Sequence, residues 1–167
     1  MKKDGLFATG DLDGSLLSDH EFEVVDHWGK EHSVVKKNGE WGLLTKDEFV
    51  LNEDLTFFIP DRPALAKVCA NDPKRECTER AIFAFIGKNL RYPAKARKNE
   101  EEGIVVAEFI VSKEGEIHSP KILRGVSKSL DAETIRVINK LPAMIPGEVD
   151  GKAVATILRL PIRFRLQ

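Results

Sequence analysis

Apolar and polar residues alternate from Ala153 to Leu166. Val154, Thr156, Leu158, Leu160, Ile162 and Phe164 fall on one side, with Ala155, Ile157, Arg159, Pro161, Arg163 and Arg165 on the other. A period of two describes a half-covered strand, here with a basic outer side. A second run, "IVVAEFIV" from Ile104 to Val111, is β-branched and apolar, with Glu108 its single charge. Such a run predicts a strand covered on most of both faces, with Val105, Ala107, Phe109 and Val111 sharing one of them. Gly103 bounds it on one side and the turn "SKEGE", containing Gly115, on the other. "IHSPKILR", Ile117 to Arg124, is the returning strand. Pro120 inside it places that strand at a sheet edge, where a missing N–H is tolerated.

Helical spacing appears on either side of this hairpin. In "RECTERAIFAFIGKNL", Ile82, Phe85, Ile86 and Leu90 recur on one helical face. Asp72-Pro73 supplies Ncap and N1 residue types, and Pro93 ends the helix. A short second helix is predicted from Ala94 to about Glu101. "SLDAETIRVINKL" has Leu130, Thr134, Val137, Ile138 and Leu141 as its stripe, with Ser129 or Asp131 as cap and Pro142 as stop. The order is α-β-β-α-β. It predicts an α+β fold, a three-stranded antiparallel sheet with helices on one face. The strand at 105–111 is central, flanked by those at 117–124 and 153–166.

Residues 1–60 read as turns and short strands. Asn38-Gly39 separates Val34-Val35 from Trp41–Leu44, and Asn-Gly accepts positive φ at both turn positions, so a type I′ hairpin is predicted. "FEVV" (Phe22–Val25) and "FVL" (Phe49–Leu51) are candidate strands beside it. "KNGEWGLL" also resembles a single WG repeat, but solenoids need several stacked copies, and an ordinary hairpin is the better reading. Residues 61–74, following Pro60 and containing Pro63 and Pro73, read as a connector.

Net charge is −1 over 167 residues, which gives no overall bias toward nucleic acid or anionic lipid. The balance is uneven: residues 91–167 hold 14 Lys+Arg against 10 Asp+Glu, and residues 1–90 hold 12 against 17. The basic half favours an acidic or extended partner. No apolar run approaches the roughly 18 residues of a membrane helix, and no h-region follows Met1-Lys2-Lys3. The cysteines, Cys69 and Cys77, are either two small buried side chains in a reducing compartment or a short closed loop in an oxidising one. Closure of that loop contributes very roughly 2–3 kcal/mol. Together with His20, His27, His32 and His118 they match no zinc spacing. No metal or cofactor is expected.

"GDLDGSLLSD", Gly10–Asp19, is similar to the nucleophile loop of haloacid-dehalogenase phosphatases, with Asp11 and Asp13 as nucleophile and acid–base. That chemistry needs a strand-fed loop, a Rossmann-like domain, a distant Lys and a further acidic pair for Mg²⁺. The following 80 or so residues lack the alternating β and α units that would carry them. An EF-hand reading fails because Leu16 stands where the sharp turn needs Gly. A solvated turn is preferred, and no enzyme is expected.

A series of elements in register over Tyr92–Leu166 resembles the C-terminal domain of the TonB energy-transducer family. They are Tyr92-Pro93 with Ala96 and Arg97, Gly103 before the central strand, the Gly115 turn with Ile117, and Arg124-Gly125-Val126. Leu130-Asp131, Arg136-Val137, Pro142, Pro146-Gly147, Gly151-Lys152 and Leu160-Pro161-Ile162-x-Phe164 follow. Many relatives carry Trp at the position of Met144. The resemblance extends back through Phe85–Pro93 and implies a Cys69–Cys77 disulfide. It divides the chain into a hairpin-containing N-terminal extension (1–60), a connector with the Cys pair (61–77) and a TonB C-terminal-like domain (78–167).

The resemblance implies a periplasmic binding and force-coupling module. The module takes the TonB box, an extended segment of outer-membrane transporters, by strand addition, in which main-chain hydrogen bonds supply much of the affinity. The expected edge is Ala153, Val154, Ala155, Thr156, Ile157, Leu158, Arg159 and Leu160, with Arg91, Tyr92 and Pro93 as a helix-loop contact. Further implied partners are an ExbB/ExbD-type inner-membrane motor, reached through an anchor outside this sequence, and a second copy in a homodimer. No nucleic-acid partner is expected. A natural start at Met1 favours instead a soluble, cytoplasmic interaction or sensor domain that keeps the fold without the motor.

Overall fold

The computed structural model describes residues 2–3, 6–7, 24–28, 33–44, 49–51, 55–57 and 59–166. The stretch Gly10–Asp19, with Asp11 and Asp13, lies outside them. The chain divides into two compact units, Met1–Ile59 and Pro60–Gln167.

In the first unit, β1 (Lys2–Lys3) pairs antiparallel with β2 (Leu6–Phe7). A second sheet has the order β3-β4-β5-β6, with β3 at Val24–Trp28, β4 at Ser33–Lys37, β5 at Glu40–Leu44 and β6 at Phe49–Leu51. Its central hairpin turns at Asn38 (φ 51°) and Gly39 (φ 80°), the paired positive φ values that a type I′ turn requires. Val34 and Val35 are both buried. Trp41 meets Phe57 of the short strand β7 (Thr56–Phe57) edge-to-face at 4.9 Å.

The second unit opens with an extended segment and a single 3₁₀ turn at Lys67–Cys69. Then follow α1 (Arg75–Asn89), α2 (Ala94–Lys98), β8 (Gly103–Val111), β9 (Ile117–Arg124), α3 (Lys128–Ile138), β10 (Gly147–Val149) and β11 (Lys152–Phe164). Within this unit the strand order is β10-β11-β8-β9, all pairs antiparallel. The three-stranded expectation therefore needs correction, since Gly147–Val149 forms an additional strand. The cause is Asp150-Gly151, at φ 49° and 75°. This is a second type I′ turn, and it folds Glu148 onto Ala153 and Gly147 onto Val154.

Central strand β8 sends Val105, Ala107, Phe109 and Val111 inward, each fully buried. They pack with Ile82 and Ile86 of α1, Ala96 of α2, Leu130, Val137 and Ile138 of α3, and Leu160, Ile162 and Phe164 of β11. All three helices thus cover the same face of the sheet. Two register shifts interrupt β9, one of them between Lys121 and His118 where Ser119 takes φ 48°. The bulge accommodates Pro120, which has no N–H to give to the ladder.

Three boundaries differ from expectation. α1 starts at Arg75 rather than at Pro73, because the Asp72 amide donates to the Cys69 carbonyl (3.0 Å) and closes the preceding turn instead. α3 is capped by Ser127, whose hydroxyl accepts from the Leu130 amide (3.4 Å). Ser129 instead donates to Glu101 (3.1 Å), and the Asp131 carboxylate accepts from the Val126 amide (3.0 Å). Helix α2 stops at Lys98.

Candidate partner-binding surface

β11 carries the eight-residue window expected to meet a partner. Burial alternates along it as the sequence pattern requires: Thr156, Leu160, Ile162 and Phe164 are buried, and Arg159, Pro161 and Arg163 are exposed. At the start of the window Ala153 and Val154 are engaged by β10. From Thr156 to Phe164 one side of the strand is paired residue by residue with β8, Thr156 against Val111 and Phe164 against Gly103.

The helix-loop Arg91–Pro93 is held by its main chain. Its anchor is Glu133, a buried carboxylate on α3. Glu133 accepts from the Arg91 amide (2.6 Å) and from Arg136 through Nε (2.7 Å) and Nη2 (2.6 Å). The Arg136 Nη2 also donates to the Asn89 carbonyl (2.7 Å), at the end of α1. Burial alone would raise the Glu133 carboxyl, but the hydrogen bonds from Arg136 and Arg91, with their charge, hold it below the ordinary carboxylate range. Neither Glu133 nor Arg136 was singled out as a site residue from the sequence. The available signal was an acid–base pair three apart on a helix, a common surface arrangement.

Tyr92 is half-buried against the core. Its ring stands edge-on to Phe164 at 5.8 Å, and its hydroxyl donates to the Glu101 carbonyl (2.5 Å). Burial first, and then the nearby Glu102 and Glu101 carboxylates, push its phenol up. Pro93 (φ −62°) begins α2. The helix-loop therefore adjoins Phe164, at the C-terminal end of β11. Leu160 lies four residues back and Ala153 eleven, roughly 13 Å and 36 Å along an extended strand. The two expected contact regions touch the same strand, but they are not side by side.

A third arrangement crosses the sheet on the face away from the helices. Glu108 of β8 is bridged by Lys121 of β9 and by Arg159 of β11, each at 2.8 Å. Burial would raise this carboxyl too, but the two cations outweigh that and hold it below the usual range. Register explains the geometry, since Glu108 is opposite Lys121 on one side and Arg159 on the other.

The connector is part of the second unit. Arg62 exchanges both main-chain hydrogen bonds with Glu148 (3.1 and 2.8 Å), and Leu65 does the same with Ile145 (2.9 and 2.7 Å). The Arg62 guanidinium also forms a two-point ion pair with the Glu148 carboxylate. Gly147 permits this approach, because a Cβ there would come within 3.1 Å of the Arg62 carbonyl oxygen and 2.4 Å of Thr156 Oγ1. Ala64 and Leu65 are buried. Cys69 and Cys77 form a disulfide with a Cα–Cα distance of 5.9 Å, tying the 3₁₀ turn to the first turns of α1. Among the described residues, no group of three or more His, Cys, Asp or Glu side chains is placed to hold a metal ion.

Residues 88–166 match the family model described as Gram-negative bacterial TonB protein C-terminal. That segment is similar to the TonB C-terminal family. The match begins at the end of α1 and closes at the end of β11, covering a little under half of the chain. Two NMR solution structures of the Helicobacter pylori TonB C-terminal domain are similar. One, of residues 179–285, is 19% identical, covers 60% of this chain and 91% of its own, and has a TM-score of 0.46. The other, of residues 194–285, is 20% identical, covers 52% and 90%, and has a TM-score of 0.41. No curated protein matches the chain. The family that this segment resembles is one of TonB-type energy transducers, with a non-catalytic transport and interaction role toward outer-membrane transporters in the Gram-negative periplasm. Among the described residues no helix is long and apolar enough to cross a membrane.

Proposed function

We propose that Pro60–Gln167 is the periplasmic binding and force-coupling module of a TonB-type transducer. Its ligand is the TonB box of an outer-membrane transporter, taken as an added strand along β11. The family match over residues 88–166 carries this reading. The chemistry of the strand supports it: β11 is long and extended, and its inward residues are anchored in the core. Because Ala153 and Val154 are engaged by β10, the proposed contact centres on Ala155, Thr156, Ile157, Leu158, Arg159 and Leu160. Pro161, with no N–H, limits the donor row beyond them. Strand pairing suits transmission of tension because several main-chain bonds share the load. Arg91, Tyr92 and Pro93 form a second contact near Phe164, fixed in place by Glu133 and Arg136.

The test is an NMR titration of the full chain with a synthetic TonB-box peptide from a cognate transporter. The expected result is shifted and exchange-protected amides from Ala155 to Leu160. Binding that leaves β11 unchanged overturns the site, and absence of binding to every transporter peptide overturns the function.

A further inference from the structure

The sheet face opposite the helices carries a charge pattern that strand addition does not use. Along β8, Ile104, Val106 and Ile110 are half-buried on that face. On β9, Lys121 is opposite Glu108 and Arg124 is opposite Val106. On β11, Arg159 is opposite Glu108, Pro161 opposite Val106 and Arg163 opposite Ile104. Paired residues share a face of the sheet, so an aliphatic strip runs down the middle with two cations on each side. Lys121 and Arg159 are 64% and 56% exposed, and Arg124 and Arg163 are exposed as well. Glu108 is the one acidic residue among these positions, and it is buried beneath Lys121 and Arg159. Among the described residues, no carboxylate pairs with Arg124 or Arg163.

We propose that this face docks an acidic amphipathic α-helix of a partner protein, apolar side down on β8, with carboxylates on both flanks. Width is the first argument. β9 and β11 stand two strand intervals apart, about 10 Å, and a helix with its side chains is about 10–12 Å across. Carboxylates beside its apolar stripe therefore fall over Arg124 and Lys121 on one flank and over Arg159 and Arg163 on the other. The second argument is hydrogen bonding. The β8 main chain is already paired on both sides, so an extended segment laid on this face gains no ladder bonds, whereas a helix arrives with its own bonds made. The third is charge. The central Glu108 is neutralised by its two bridges and does not repel an acidic ligand.

The site shares Arg159 with the proposed edge of β11 but takes its side chain rather than its main chain, and its test reads different atoms. The probe is a peptide of about 18 residues with Leu at i, i+3, i+4 and i+7 spacing and Glu on both flanks, titrated into the isotope-labelled full chain. Shifts are expected at Val106, Lys121, Arg124, Ile110 and Arg163. Affinity is expected to fall about tenfold or more when salt rises from about 20 to 200 mM, as screening of opposed charges requires. The double variant Arg124→Glu/Arg163→Glu, which leaves the Glu108 bridges intact, is expected to bind about tenfold more weakly or worse. A Gln-for-Glu peptide is expected not to bind. Shifts confined to β11 amides, affinity unchanged in the double variant, or failure of the Glu peptide to bind overturns the proposal. So does selective binding of phosphatidylglycerol vesicles through these residues without the peptide, which would assign the face to a membrane.

Discussion

Removing the Glu133 carboxylate tests whether α3 holds the helix-loop at Arg91–Pro93. In Glu133→Ala the Arg91 amide loses its acceptor, and Arg136 loses two of its three hydrogen bonds to the protein. Breaking a buried, charge-assisted cluster by removing one partner costs about 3–5 kcal/mol. Arg136 is one-third exposed and keeps the Asn89 carbonyl, so water recovers part of that loss. The net expectation is about 2.5 kcal/mol. Both tryptophans lie in the first unit, so tryptophan fluorescence would mix the two. Amide hydrogen exchange at Val105, Ala107 and Phe109 reports on the second unit alone. Exchange there is expected to speed up about 60-fold at neutral pH, following the factor of ten per 1.4 kcal/mol. Glu133→Gln keeps one acceptor and should lose roughly half as much. Acid provides a second reading. The Glu133 carboxyl is lowered by folding, so its contribution is complete above the unfolded carboxylate range, near about pH 4.3, and is lost as pH falls through the lower folded value. The gap between the native chain and Glu133→Ala should narrow on acidification. A change in exchange of less than about threefold at neutral pH, or a gap that widens in acid, refutes the reasoning.

Gly115→Ala is expected to cost more than about 2 kcal/mol. Gly115 has φ +86°, and a Cβ there would sit 2.0 Å from the Met144 carbonyl oxygen; a thermal melt unchanged from the native chain would contradict the turn geometry. The loop closed by Cys69–Cys77 spans eight positions, and the chain-entropy model gives about 2.5 kcal/mol for a loop this short. Reduction, or Cys69→Ser with Cys77→Ser, should therefore speed exchange of the Val105, Ala107 and Phe109 amides, which open with the unit as a whole, by up to about 60-fold. Unchanged β8 exchange, with faster exchange at Arg62, Leu65, Ile145 and Glu148, would mean that the bond stabilises the connector alone.

Much of the second unit is legible in its residue pattern. A β-branched run such as Ile104–Val111 reads as the central strand because an edge placement exposes more of it, and the 3.6-residue stripe in α3 leaves one packing direction. The Asn38-Gly39 hairpin follows from local backbone chemistry. Asp150-Gly151 has the same chemistry, yet the residue pattern does not reveal β10. Its arm is three residues long, it follows Pro146, and its pairing with Arg62 lies 86 positions away. The site was less legible for a similar reason. Glu133 becomes an anchor only because the end of α1 arrives beside α3, a distance in sequence of 42 positions. Local pattern does not encode that meeting. Tyr92 illustrates the reverse: a residue singled out for contact also packs on Phe164, and its hydroxyl is bonded within the chain.

The Arg62 and Leu65 pairings and the Cys69–Cys77 bond together define what tension on the chain ahead of residue 60 would meet. Force that separates residue 60 from the sheet would reach the Arg62–Glu148 bridge first and the Leu65–Ile145 bridge second. Once Cys69 is reached, the load passes through the sulfurs to Cys77 and leaves residues 70–76 slack. From there it enters the first turns of α1 and is spread over the core beneath the sheet. The connector would then act as a short, reversible spring whose stop is covalent, with the domain behind it loaded as a whole.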